Sequence, residues 1–353
     1  MSPQLAVADP DALLEELHIA VIIPAYEAEA TIRDVLESVP GYVRTIVVVS
    51  DDSRDATASV VEDVARGDAR VVLEVHHINR GVGAAMRTGY RRALAAGADI
   101  LVKMDSDGQM DPAYLPHLIL PIALGQADYT KGNRFLRPQA LRRMPRARLL
   151  GNAVLSFVTK LSSGYWHLLD PTNGYTAISR EALMALDLEV VDDRFFFESS
   201  MLIELGMVRA VVVDVPIPSR YGSEQSHLSL TASVLSFALK HVRFGLRRLV
   251  YRYLLLDFSA VSLLLAVSLP LTAFGVTFGL RNWIRSSLHG TPATAGTVML
   301  AAFTTAGGLF GIVQAMIYDI MSTPTRPLTL PRVRVVGSQP AAAIRPDRVA
   351  RRG

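Results

Sequence analysis

The sequence predicts an α/β fold: a doubly wound, mostly parallel sheet followed by interfacial amphipathic helices and two C-terminal transmembrane helices. Three observations carry that expectation. Between residues 19 and 131, short β-branched runs alternate with stretches of helix-like apolar spacing, the pattern of parallel strands joined by helical crossovers. Residues 258–280 and 295–317 are each 23 residues long without Asp, Glu, Lys or Arg, and about 20 apolar residues suffice to cross a hydrocarbon core. Ahead of the first run, Leu239, Val242, Leu246, Leu249 and Tyr253 recur at spacings of three and four, with Lys240, Arg243 and Arg247 on another face. That is the signature of a helix lying in the membrane interface.

Taken in order, residues 1–18 are an N-terminal extension, acidic and too polar for a signal peptide. Strands are predicted at 19–23, 45–49, 71–75, 100–104 and 128–131, and helices at 29–39, 55–66, 82–96 and 114–124. In such sheets ligands bind beyond the carboxyl ends of the strands. Residues 136–148 carry Arg137, Arg142, Arg143, Arg146 and Arg148 with no acid, and an apolar stretch follows at 149–169. The expected division is a catalytic domain at 19–228, a juxtamembrane helix at 229–253, two spans with a short external loop at 254–321, and a disordered basic tail at 322–353.

Charge sets the expected topology. Lys240, Arg243, Arg247, Arg248 and Arg252 precede the first span and Arg326, Arg332 and Arg334 follow the second, whereas the loop between holds Arg281 and Arg285. The positive-inside rule then puts the catalytic domain and both termini in the cytoplasm. The net charge of +3 is concentrated beside the membrane, which points to anionic headgroups before nucleic acid. With no Cys in the chain, a disulfide framework and a thiolate metal site are excluded.

The chemistry sits at the strand ends. Strand four closes in Asp105-Ser106-Asp107. Residues two apart in a strand point to the same side, so both carboxylates can converge on a hard divalent cation that shares its shell with a diphosphate. Alone, such a pair is more often an exposed acidic turn. It is accompanied by Pro24-Ala25-Tyr26-Glu27 after strand one, Ser50-Asp51-Asp52-Ser53-Arg54-Asp55 after strand two, and Asn79-Arg80-Gly81-Val82-Gly83 after strand three. Gly132-Asn133-Arg134, Asp170-Pro171-Thr172-Asn173-Gly174-Tyr175 and a segment running from Arg220 through Ser226 to His227 come later.

In this order the motifs resemble those of inverting family-2 glycosyltransferases with a GT-A fold. The later ones resemble the polyprenyl-phosphate branch, typified by dolichol-phosphate mannose synthase and bacterial undecaprenyl-phosphate glucosyltransferases. The resemblance covers roughly residues 19–250. It implies metal-dependent transfer of a sugar from a UDP- or GDP-linked donor to a polyprenyl phosphate, undecaprenyl or dolichyl, at the cytoplasmic membrane face. It implies Mg²⁺ or Mn²⁺ on Asp105, Asp107 and Gln109. Pro24, Tyr26, Glu27, Asp51, Asp52, Asn79, Gly83, Asp105 and Asp170 are then expected at the nucleotide sugar. Arg134, Arg148, Arg220 and Ser226 are expected at the acceptor phosphate. Asp107, Arg134, Arg220 and Glu198 are the expected catalytic set, with Asp170 and Glu198 touching a sugar hydroxyl or positioning the acceptor.

The segment after strand two departs from the family's Asp-Asp-Gly-Ser, since Ser50 replaces the first Asp and Asp52 the Gly. The base-binding carboxylate is therefore Asp51 or Asp52. Gly81 and Gly83 either admit the nucleotide to bare backbone or only shape a turn, and Asp55 is either a helix cap or a ligand. Two other functions fit parts of the pattern, a processive polysaccharide synthase-like enzyme and a non-catalytic membrane-tethered binding protein. A dinucleotide enzyme is disfavoured, because Gly81-x-Gly83 follows the third strand and Met86 takes the third glycine position. Homo-oligomerisation is left open.

Overall fold

The computed structural model describes residues 10–135, 146–218, 230–256 and 258–331. Its strands are β1 (Ile19–Ala25), β2 (Val43–Asp51), β3 (Val71–His76), β4 (Ile100–Lys103), β5 (Tyr129–Asn133), β6 (Thr176–Ser179) and β7 (Val212–Pro216). They form one sheet in the order β3-β2-β1-β4-β6-β5-β7. The sheet is mostly parallel as expected, and only the pairings of β6, with β4 and β5, are antiparallel.

The short β6 positions the site. In its register Lys103 faces Thr176 and Lys131 faces the same residue from the other side. Because β6 runs against its neighbours, the chain entering it, Asp170 to Tyr175, lies at the carboxyl edge of β4 and β5. Four residues with no apolar run gave the sequence pattern nothing to register.

Helices cover both faces of the sheet. α1 (Pro10–Glu16), α2 (Ile32–Ser38), α3 (Thr57–Gly67) and α5 (Leu115–Ala123) lie on one side, where Ile19, Val21 and Ile23 point. α4 (Val82–Ala95), α7 (Arg180–Ala185) and α8 (Phe197–Met207) lie on the other, against Ala20 and Ile22. Successive strand residues face opposite sides, so β1 is buried at every position but Pro24 and reads as one apolar run. Gly89 of α4 has its backbone against the Ile22 side chain, where a Cβ would collide. The N-terminal extension is partly core: Leu13, Leu14 and Leu17 are buried with α2 and α5.

α6 (Arg146–Ser163) follows, and later α9 (Leu230–Val250), a π-helical turn at Tyr251–Leu256, α10 (Ala260–His289) and α11 (Ala295–Met321). The last two helices are long and apolar enough to cross a membrane. They pack as a hairpin in which Gly275 lies against Thr305, Gly308 against Thr272 and Gly311 against Ser268, small residues letting the backbones approach. Gly290, at φ 64, ends α10, and the Thr294 hydroxyl accepts from Thr297 N to start α11.

α9 divides the basic residues that the sequence places before the first span. Leu239, Val242 and Leu246 are exposed, as is Arg243 of the expected basic face, while Lys240, Arg247 and the neighbouring Arg248 reach the protein's own acids. Lys240 donates to Asp192 at 2.6 Å, Arg247 to Glu204 at 2.5 Å, and Arg248 to both Asp319 oxygens at 3.0 Å. Glu204 and Asp319 are buried and demand paired cations, so Arg247 and Arg248 are committed to them, while Arg243 remains exposed.

Residues 322–331, expected to open a disordered tail, are instead held against the sheet. Leu328 N and Thr329 N donate to the carboxylate of Asp128 at 3.0 and 2.8 Å, joined by the Thr329 hydroxyl at 2.8 Å. Asp128, fully buried before β5, needs those donors. Residues 322–331 thus strap the end of the hairpin to the sheet.

Candidate active site

The motifs converge on a cleft along the carboxyl edge of the sheet, in two halves that share Asp105 and Asp107. The larger, about 550 Å³, is bounded by Pro24, Tyr26, Asp51, Asn79, Gly81 and Arg194. The smaller, about 220 Å³, is bounded by Gln109, Tyr114, Arg134, Thr172, Asn173 and Gly174. Glu27, Asp52, Gly83, Asp170 and Glu198 are not among the residues that line either half.

In the larger half, β2 ends on Asp51, which is 4% exposed. Its carboxylate accepts from Arg80 N at 3.0 Å and Gly81 N at 2.7 Å and lies 2.7 Å from His76 Nδ1. Asn79 Nδ2 donates to the Asp51 carbonyl at 3.2 Å. Between the two carboxylates the sequence left open, Asp51 lines the cleft, whereas Asp52, in a left-handed conformation at φ 59, is not among the lining residues. Glu27 has the same conformation, φ 49, with its N–H on the Ser53 hydroxyl. Asp55, just ahead of the α3 N-cap residue Ala56, holds the turn, accepting from Thr57 N and the Thr57 hydroxyl at 3.1 and 2.6 Å and from Glu29 N at 3.0 Å.

Gly81 and Gly83 also serve a neighbour within the protein. Gly83 N and Ala84 N donate to the Asp193 carbonyl at 2.8 and 3.2 Å, and a Cβ on Gly83 would collide with the carbonyl of Asp192. The bare backbone admits the loop before α8. Of the two glycines only Gly81 borders the cleft.

At the partition, Asp107 accepts from Gln109 N at 2.9 Å, and Asp105 pairs with Lys103. Lys103 is 1% exposed on β4 and stands 3.6 Å from Glu198 in the first turn of α8. Burial works against its charge, but Asp105 and Glu198 outweigh that and lift its pKa above the ordinary lysine value. Burial raises the Glu198 carboxyl, with Lys103 opposing. Gly174 lies so close that a Cβ there would meet Lys103 Nζ and come 2.9 Å from Asp105 Oδ2. Among the described residues no cluster of three or more His, Asp or Glu side chains is placed to hold a metal. The oxygens of Asp105, Asp107 and Gln109 nevertheless suit a hard cation that takes its other ligands from phosphate and water.

In the smaller half, Arg134 follows β5. Its Nε and Nη2 donate to the two oxygens of Asp170, each at 2.8 Å, and its backbone N–H to the same carboxylate at 3.2 Å. Asp170 is 1% exposed; burial raises its pKa, but Arg134 prevails and holds it below the usual carboxylate range. Asn173 adds a bond at 3.2 Å. Below, Lys131 donates to the carbonyls of Leu169 and Asp170, each at 2.7 Å, and pairs with Asp214 at 3.0 Å. Asp170 is thus spent on orienting Arg134, and Glu198 on holding Lys103. Arg148 lies in the first turn of α6, whereas Arg220 and Ser226 fall outside the described residues.

Sequence reasoning missed Lys103, Lys131 and Arg194. A lysine closing the apolar strand Ile100–Lys103 was the signal for the first: such a residue, buried, must have a carboxylate or carbonyl partner.

A mixed sheet with an Asp-x-Asp dividing a cleft at its carboxyl edge defines a glycosyltransferase of the GT-A type. Residues 20–187 match the model of glycosyl transferase family 2. The chain is 32% identical over 216 residues to the UDP-N-acetylglucosamine–dolichyl-phosphate N-acetylglucosaminyltransferase of Methanococcus voltae, covering 58% of this chain and 86% of that one. It is 31% identical over 222 residues to the polyprenol monophosphomannose synthase of Mycolicibacterium smegmatis, covering 61% and 82%. Glucosyl-3-phosphoglycerate synthase from Mycobacterium tuberculosis, solved with phosphoglyceric acid, shares the fold with a TM-score of 0.51 at 24% identity, over 70% of this chain and 85% of that one. The same enzyme solved with Mn²⁺, UDP-glucose and phosphoglyceric acid gives 0.50 at 23%, over 70% and 85%. The chain belongs to glycosyl transferase family 2 and is a glycosyltransferase.

Proposed function

We propose that the protein transfers a sugar from a nucleoside-diphosphate donor to a polyprenyl phosphate at the membrane surface. The observation that carries this reading is the partitioned cleft, with Arg134 in the smaller half across Asp105 and Asp107 from the larger one. Two relatives named for transfer to dolichyl or polyprenol phosphate support it, as do two helices suited to a bilayer beside the catalytic domain.

The larger half takes the nucleotide, with Pro24, Tyr26, Asp51 and Asn79 around the base and ribose. Asp105, Asp107 and Gln109 would hold Mg²⁺ or Mn²⁺, the latter present in the structure of the M. tuberculosis enzyme. A divalent cation bound there supplies Lewis-acid neutralisation of the diphosphate leaving group. The acceptor, a phosphate monoester with a second pKa of about 6, is already largely dianionic at neutral pH and needs no strong base. Arg134, preset by Asp170, offers it a guanidinium fork; Arg148, Arg220 and Ser226 are assigned to the same phosphate. One acceptor oxygen bonds to the anomeric carbon, the bond from that carbon to the β-phosphate oxygen breaks, and the nucleoside diphosphate leaves with the electron pair. Attack opposite the leaving group inverts the anomeric centre. The catalytic domain and both ends of the hairpin lie on the cytoplasmic side.

The test is transfer by the purified full chain in detergent, with undecaprenyl phosphate, Mg²⁺ or Mn²⁺ and radiolabelled UDP- and GDP-sugars. Label entering the organic phase with one donor, and not in EDTA, is the expected result. Donor binding without transfer to any polyprenyl phosphate would overturn the acceptor assignment.

A further inference from the structure

Charge in the larger half of the cleft is unevenly settled. Asp51, Asp105 and Asp107 border it, and Arg194 is the basic side chain among the described residues that does. Asp51 is answered by two backbone N–H groups and His76, and Asp105 by Lys103. The guanidinium of Arg194 has no hydrogen bond or ion pair with any described residue.

The mount of this cation is nonetheless firm. Its N–H donates to Asp192 Oδ1 and its carbonyl accepts from Phe197 N, both at 3.0 Å. The preceding carbonyl, of Asp193, takes the N–H groups that open α4. Asp193 is paired with Arg87, and Asp192 with Lys240 of α9. The stem rests on Gly81, where a Cβ would come within 2.8 Å of Arg194 Cγ. An exposed arginine on a loose loop would sample many positions; this one is fixed at the backbone and free only at its fork.

We infer that Arg194 binds the diphosphate of the nucleotide sugar and steadies it as the glycosidic bond breaks. The inference rests on the proposed sugar transfer and adds a donor-side cation to it. A diphosphate brings several negative charges into a cleft already walled by carboxylates, so a partner beyond one divalent ion is required. Guanidinium suits phosphate oxygens because its planar fork can meet two at once. Arg134 does not compete for this role, since it borders only the smaller half.

Nucleotide affinity decides the matter. UDP, GDP, UMP and GMP are titrated onto the full chain in detergent, with Mg²⁺ and with EDTA, for the wild type, Arg194→Gln and Arg194→Lys. Arg194→Gln should weaken the preferred diphosphate by roughly tenfold to a hundredfold, the range for a lost charge-assisted hydrogen bond. The matching monophosphate should change much less, which also reports an intact fold. Arg194→Lys should fall between, and the loss should persist in EDTA. An unchanged diphosphate affinity, or equal losses for mono- and diphosphate, overturns the assignment. In transfer assays the donor KM should rise at constant polyprenyl-phosphate KM; the reverse would move Arg194 to the acceptor. A wild type that binds neither UDP nor GDP would instead bring down the sugar-transfer reading, and this inference with it.

Discussion

Single side chains in this protein are assigned by what already holds them. Asp107 stands at the partition and borders both halves of the cleft, accepting from Gln109 N, and Asp105 beside it pairs with Lys103. Asp107→Asn should therefore abolish transfer and weaken Mn²⁺ binding, read by electron paramagnetic resonance, while the melting temperature holds. Normal turnover in that variant would remove Asp107 from the site. His241 of α9 offers a pH prediction. It is 2% exposed, with Nδ1 2.9 Å from the Ser162 hydroxyl, and burial depresses its pKa to about 4. The unfolded chain then binds the proton that the folded one refuses. Stability from this group is complete above about 6.5 and is lost as pH falls toward 4, by up to about 3 kcal/mol. Melts of wild type and His241→Gln between pH 7 and 4 should converge at the acid end.

At the scale of elements, the contact of α4 with the loop before α8 shapes the larger half of the cleft. Gly83→Ala drives a methyl into the Asp192 carbonyl, and backbone cannot swing aside as a side chain can. A loss of about 1–3 kcal/mol is expected from overpacking, together with weaker nucleotide binding, because Arg194 rides on the displaced loop. Gly41→Ala is the control, having nothing within 4 Å of the new methyl; calorimetry on both variants checks the contrast. Equal stability of the two would show that the loop yields freely.

The whole molecule is joined at a buried polar knot. Asp319, near the end of α11, accepts from Arg248 and Tyr253 and from Trp166 Nε1 at 3.0 Å. It thereby ties α9, the π-helical turn and the loop after α6 to the hairpin. Removing one partner of a buried pair strands the other charge, at a cost of about 3–5 kcal/mol. Asp319→Ala should destabilise the protein on that scale and open the 322–331 strap to protease. Arg248→Met combined with Asp319→Leu should recover most of the loss. A double variant no better than the single would mean that the knot matters for more than charge balance.

Local pattern and tertiary structure divided the labour along physical lines. The alternation of β1 to β5 with their helices, the charge-free spans and the Asp-x-Asp were legible in the sequence, because periodicity and composition act over neighbouring residues. Tyr26, Asp51, Asp105, Asp107, Gln109 and Arg134 were named from it and do border the cleft. Only the folded chain showed that Asp170 is bound to Arg134 and Glu198 to Lys103, and that the bare backbone of Gly83 receives a loop more than a hundred residues away. Of the basic stripe of α9, Lys240 and Arg247 proved to have partners across the fold in Asp192 and Glu204, which no local pattern announces. A charge is visible in sequence, but its partner is chosen by distance in space, and burial makes that choice obligatory.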